Sequence, residues 1–116
     1  MLRLRRALVS VAALVGTVAL VAPTAAAGDH VALLRMTGTI DQVNATYITE
    51  GLKAAAGDGA AAAIIEVNSP GGELTSMDTM IQAIAASPIP VITWVAPEAG
   101  GAGSAATFVT LASSVA

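Results

Sequence analysis

The chain has 116 residues, 55% of them hydrophobic, a formal net charge of −3 and no cysteine. The missing cysteines exclude disulfides and thiol catalysis. Three of the five basic residues lie in the first six positions, leaving Arg35 and Lys53 against eight scattered acids; without clustered cations, a nucleic-acid partner is excluded.

Residues 1–6 carry Arg3, Arg5 and Arg6 and no acid, and residues 7–22 are small or apolar apart from Ser10, Gly16 and Thr17. Pro23 ends the run, and Ala25 and Ala27 fit the small-residue cleavage pattern of a secretory signal peptide. The apolar run is shorter than the roughly 20 residues that span a bilayer. The division expected is a signal peptide over 1–27 and an exported domain over 28–116. Secretion, a periplasmic location or membrane association are the resulting options; Arg5-Arg6 is a weak twin-arginine signal.

His30 opens the exported part. Residues 31–36 read as a strand, and Val43, Tyr47, Ile48 and Leu52 recur at helical spacing, with Asp41 or Asn44 able to cap and Gly57 at the end. Residues 61–67 are an apolar β-type segment stopped by the breakers Asn68-Ser69-Pro70-Gly71-Gly72. Leu74, Met77, Met80, Ile81 and Ile84 then fall on one helical face, the methionines as core filling. Ser87-Pro88 breaks this helix, and residues 89–95 form a third strand, expected to be buried on both faces as in parallel sheets. Strands alternating with helices predict an α/β fold of βαβ units, a mainly parallel sheet flanked by helices. Ligands in such folds bind at the carboxyl ends of the strands, where both glycine-rich turns fall.

The second turn, Gly100-Gly101-Ala102-Gly103, delivers Ser104 to the start of an alanine-rich helix. Serine there is either an N-cap or a nucleophile. Two glycine turns following neighbouring strands favour an acyl-transfer site, in which backbone N–H groups of one turn face a hydroxyl on the other. Gly101 to Ala106 matches a dinucleotide fingerprint, but Pro97-Glu98-Ala99 separates it from its strand. Ser104 lacks the flanking glycines of an α/β-hydrolase elbow. Asn44-Ala45-Thr46 is a glycosylation sequon in form only. The acids show no metal-ligand spacing, and no cofactor is called for.

The order of Asn68-Ser69-Pro70-Gly71-Gly72, helix, residues 89–95 and a small-residue loop ending in Ser104 resembles the Clp peptidase and crotonase superfamily, over about residues 30–116. Within it, the proline-containing loop and Ser104-Ala105-Ala106-Thr107-Phe108 resemble the membrane-associated NfeD-type peptidases, which act beside stomatin-like proteins. The resemblance implies Ser104 as the nucleophile, oxyanion N–H groups from Gly72 and Ala105, and Gly71 as the residue shaping the turn. It further implies a serine endopeptidase acting on peptides or proteins with apolar segments, a stomatin-like membrane partner, and a fold that allows a homo-oligomer. The family's general base is a lysine well downstream of the serine. Lys53, the one lysine here, lies upstream on a surface helix, and His30 is a strand-end residue, so the chain is expected to be an N-terminal fragment, incomplete at its C-terminus and inactive alone. The alternative is a non-catalytic exported peptide-binding or membrane-assembly module with the same fold. A crotonase-like acyl-CoA enzyme is disfavoured by export.

Overall fold

The computed structural model describes residues 28–116; the signal peptide and cleavage site inferred for 1–27 lie outside the described residues. Three strands, β1 (Val31–Thr37), β2 (Ala62–Asn68) and β3 (Val91–Val95), alternate with three helices, α1 (Gln42–Gly57), α2 (Leu74–Ala85) and α3 (Ala105–Leu111). The strands are parallel and ordered β1-β2-β3, in a register that aligns Leu34, Ile65 and Thr93 in one row and Arg35, Glu66 and Trp94 in the next.

Side chains alternate between the two faces of a strand, so these rows have opposite fates. Leu34, Met36, Ala63, Ile65, Val67 and Val91 are buried on one face, joined by Ile48 and Leu52 of α1, Met80 and Ile84 of α2, and Ala105, Ala106 and Val109 of α3. All three helices thus feed a single core. On the opposite face Val31, Leu33 and Trp94 remain exposed, and Arg35 pairs with Glu66 at 3.3 Å. This corrects the expectation that β3 is buried on both faces. Beyond α3 the chain returns to the free edge of β3, where Ser114 N–H donates to the Val91 carbonyl and Thr93 N–H to that of Val115.

The carboxylate of Asp41 caps α1 by accepting from Asn44 N–H at 2.9 Å, and Asn44 itself is held by donating to the Thr39 carbonyl. The buried stripe of α1 is Ala45, Ile48, Leu52 and Ala55, whereas Val43 and Tyr47, expected on it, are exposed. Alanines let the helix approach the sheet closely, which rotates the larger Val43 and Tyr47 out to the flank. There the Tyr47 hydroxyl accepts from Arg35 N–H at 3.2 Å. Met80 is fully buried, as expected of a core methionine, but Leu74 opens α2 beside the exposed Gly72 and Glu73 and is itself exposed.

Ile65, on the central strand with no exposed surface, meets the core from β2. Ile65→Ala is expected to destabilise the protein by about 2–5 kcal/mol, read as a lowered urea midpoint with unchanged slope.

Candidate functional site

Both glycine turns leave the carboxyl ends of adjacent strands, and the backbone stitches them together past the point where the sheet ends. Ser69 N–H donates to the Gly101 carbonyl at 2.8 Å, and Gly103 N–H donates back to the Ser69 carbonyl at 2.9 Å, a parallel bridge between Ser69 and Ala102. On its other side the first turn is clamped to the segment after β1: Ile40 N–H donates to the Gly71 carbonyl and Glu73 N–H to the Ile40 carbonyl, each at 2.9 Å. Two further bonds fix the second turn. Gly101 N–H donates to Asn68 Oδ1 at 3.4 Å, and the Thr107 hydroxyl donates to the Ala102 carbonyl at 2.6 Å.

Between these clamps the turns touch. Gly71 has φ +104°, and a Cβ added to it would lie 2.7 Å from both Ser104 Cβ and the Gly103 carbonyl oxygen. Glycine is required there by backbone conformation and by space. At Gly72 a Cβ would fall onto the Ile40 carbonyl oxygen, so this position too must lack a side chain. The structure therefore brings Ser104 against Gly71, with Gly72 next along the turn and packed against Ile40.

Ser104 has φ +49° and ψ −122°, the only non-glycine residue with positive φ among the described residues. Such a conformation costs of order 1–3 kcal/mol and persists only where surrounding contacts over-determine it. Its side chain makes no capping hydrogen bond to α3. Ser104 thus holds the N-cap position of α3 without capping it: a capping serine takes β-region dihedrals and turns its oxygen onto the helix amides, whereas this residue is exposed with its hydroxyl uncommitted to them. The hydrolase-elbow glycine pattern is absent, and Ser104 follows a loop over residues 96–103 instead of the end of β3, so the positive φ belongs to the loop-to-helix junction.

The amides around Ser104 divide into used and unused donors. Gly71 N–H is taken by the hydroxyl of buried Ser69 at 3.1 Å. Among the described residues, the N–H groups of Gly72 and Ala105 have no hydrogen-bond acceptor, although Ala105 is buried. Ala105 opens α3, where an amide has no partner within the helix, and Gly72 is exposed, so both N–H groups are open donors.

The other candidate bases stand apart. His30 precedes β1, and in a parallel sheet this puts it at the end opposite the glycine turns; it lies 3.5 Å from Asp29. Lys53 is near the end of α1, which has by then run back toward that same far end, and its ammonium pairs with Glu50 at 2.9 Å. In the sequence, Asn68 and Ser69 stand out as strand breakers and as part of the family motif, with no bond assigned to either side chain. A serine two residues before a glycine in a turn is the signal that could have revealed the Ser69 bond.

The Clp protease family model matches residues 28–116. Membrane-bound protease PH1510 of Pyrococcus horikoshii is 45% identical over 56 residues, which make up 48% of this chain and 13% of that protein. The solved membrane protease specific for a stomatin homolog from Pyrococcus horikoshii superposes with a TM-score of 0.69 at 34% identity, covering 75% of this chain and 44% of that one. A lysine-to-alanine mutant of a membrane-bound stomatin-specific protease, in complex with a substrate peptide, gives 0.70 at 34% identity, covering 72% and 38%. ClpP1 from Listeria monocytogenes, at 23% identity, a TM-score of 0.65 and coverage of 70% and 46%, shares the fold. The chain spans less than half the length of each of these relatives.

Because Gly71 has no room for a side chain, Gly71→Ala is expected to destabilise the protein by more than about 1 kcal/mol. It should also move the Ser104 loop, visible as shifted Ala105 and Ala106 amide resonances.

Proposed function

The chain belongs to the Clp protease family, and from that membership we propose that it is the N-terminal part of an exported serine endopeptidase of the NfeD type. One observation carries the reading: an exposed serine hydroxyl, held on a strained positive-φ backbone against a glycine turn, is flanked by two idle amides.

Ser104 Oγ attacks the scissile carbonyl and gives its proton to a lysine of the same protein downstream of these 116 residues. As the carbonyl carbon becomes tetrahedral, its oxygen gains negative charge and accepts from the N–H groups of Gly72 and Ala105. One such donor is typically worth about 3 kcal/mol of barrier. The lysine returns the proton to the departing amine, leaving an acyl-enzyme on Ser104. Water, deprotonated by the same base, then attacks the ester, releasing the second product and regenerating the hydroxyl. Gly71 takes no direct part and shapes the turn.

The exposed Gly72 turn supports an extended substrate added as a strand beside it, with apolar side chains taken by flanking surface. The stomatin-homolog specificity of the Pyrococcus relative supports a stomatin-like membrane protein as partner. Self-association into a homo-oligomer is part of the same reading. Among the described residues no helix is long and apolar enough to cross a membrane; export rests on the charge and hydropathy pattern of residues 1–27.

In the full-length protein, a fluorophosphonate probe is expected to label Ser104. Ser104→Ala should abolish labelling and reduce peptide hydrolysis by at least about a thousandfold. Labelling that survives the substitution removes the nucleophile role, while peptide binding without turnover by the unsubstituted protein assigns the fold to a non-catalytic module. Mass spectrometry of the exported protein should find Gly28 at the mature N-terminus; a mature chain retaining residues 1–27 overturns the cleavage.

A further inference from the structure

Gly71, packed against the Ser104 loop, and Gly72 carry consecutive amides, and only that of Gly72 is idle. Gly71 N–H is engaged by Ser69 Oγ at 3.1 Å, inside a residue only 3% exposed. The same Ser69 uses its own N–H and carbonyl to hold Gly101 and Gly103. Three polar groups of one residue therefore set the first turn, the second turn and the spacing between them.

We propose that Ser69 is a positioning residue for the oxyanion site. By occupying the Gly71 N–H, its hydroxyl fixes the Pro70-Gly71 peptide, while Ile40 N–H holds the next peptide through the Gly71 carbonyl; together the two bonds set the direction of the idle Gly72 N–H beside Ser104. The inference rests on the proposed serine-peptidase reading. Without the hydroxyl, Gly71 N–H is a buried donor lacking an acceptor, and such a group is costly enough to rotate the local backbone in search of one. Gly71 carries no side chain to resist that rotation, and turning the Pro70-Gly71 peptide changes the Gly71 dihedrals, which pulls the Gly71-Gly72 peptide against its bond from Ile40. The Gly72 amide then shifts from where charge develops, so transition-state binding falls while ground-state peptide binding, made by the flanking surface, does not.

The test uses the full-length protein and a chromogenic peptide substrate, with Ser69→Ala, Ser69→Thr and Ser69→Cys. Ser69→Ala is expected to lower kcat by about 10-fold or more, with KM within about twofold of wild type. A peptide boronate, which forms a tetrahedral adduct on the serine, should lose affinity by the same factor as kcat. Binding of an uncleaved peptide, measured in the Ser104→Ala background, should not change. Ser69→Thr restores the hydroxyl and should recover most of kcat. Ser69→Cys, a weaker acceptor of similar size, should be intermediate, and it carries the comparison if Ser69→Ala does not fold. Wild-type kcat in Ser69→Ala, or in Ser69→Cys where the alanine variant is unfolded, overturns the proposal, as does a rise in KM that accounts for the whole loss. If Ser104→Ala still hydrolyses the substrate, the peptidase reading itself has failed. If Ser104→Ala is inactive while the Ser69 variants keep full kcat, only the positioning role is lost.

Discussion

The structure depends on a ladder that does not stop where the sheet stops. Ser69 exchanges backbone hydrogen bonds with Gly101 and Gly103 one residue beyond the end of β2, so the loop after β3 is tied to the turn after β2. Parallel pairing sends both strands out of the same end of the sheet. The extra pair of bonds then converts two floppy connections into one rigid surface. The contact between Gly71 and Ser104, and the idle amides on either side, follow from that stitching.

The strained conformation of Ser104 is intelligible only within this frame. A cost of order 1–3 kcal/mol is a noticeable fraction of the 5–15 kcal/mol by which domains are typically stable. The bonds at Ser69, Asn68 and Thr107, together with burial of Ala105 and Ala106 at the start of α3, offset it. What the strain achieves is orientation. A relaxed serine at a helix start turns its oxygen onto the helix amides, whereas this one leaves both its hydroxyl and the Ala105 amide open to a third group.

Much of this was legible in the sequence because the signals were local. Pro70-Gly71-Gly72 and Gly100-Gly101 to Gly103 end their strands as strong breakers, and Asp41 caps α1 through its own side chain. Parallel pairing, inferred from alternating strands and helices, brought the two turns to one end. What sequence periodicity could not supply was the side of the sheet on which the helices lie. Residues 89–95 are apolar or β-branched throughout and read as buried on both faces, yet Trp94 is exposed because the described helices all pack on the Leu34, Ile65 and Thr93 side. For the same reason Val43 and Tyr47 were placed in the core while the smaller Ala45 and Ala55 occupy it. Hydrophobicity favoured the larger residues; proximity between helix and sheet selected the smaller. The Ser69 bond was hidden because a serine in a breaker cluster looks like solvent-facing punctuation.

The return of residues 114 and 115 to the outer edge of β3 repeats the step by which β2 joined β1 and β3 joined β2. A polypeptide wound in this way advances like a spiral stair, each flight rising in the same direction and ending on the same landing. Ser104 and the glycine turns occupy that landing. Any later flight of the same winding delivers its own loop there without crossing the molecule, so a proton acceptor remote along the chain has a direct topological route to the serine.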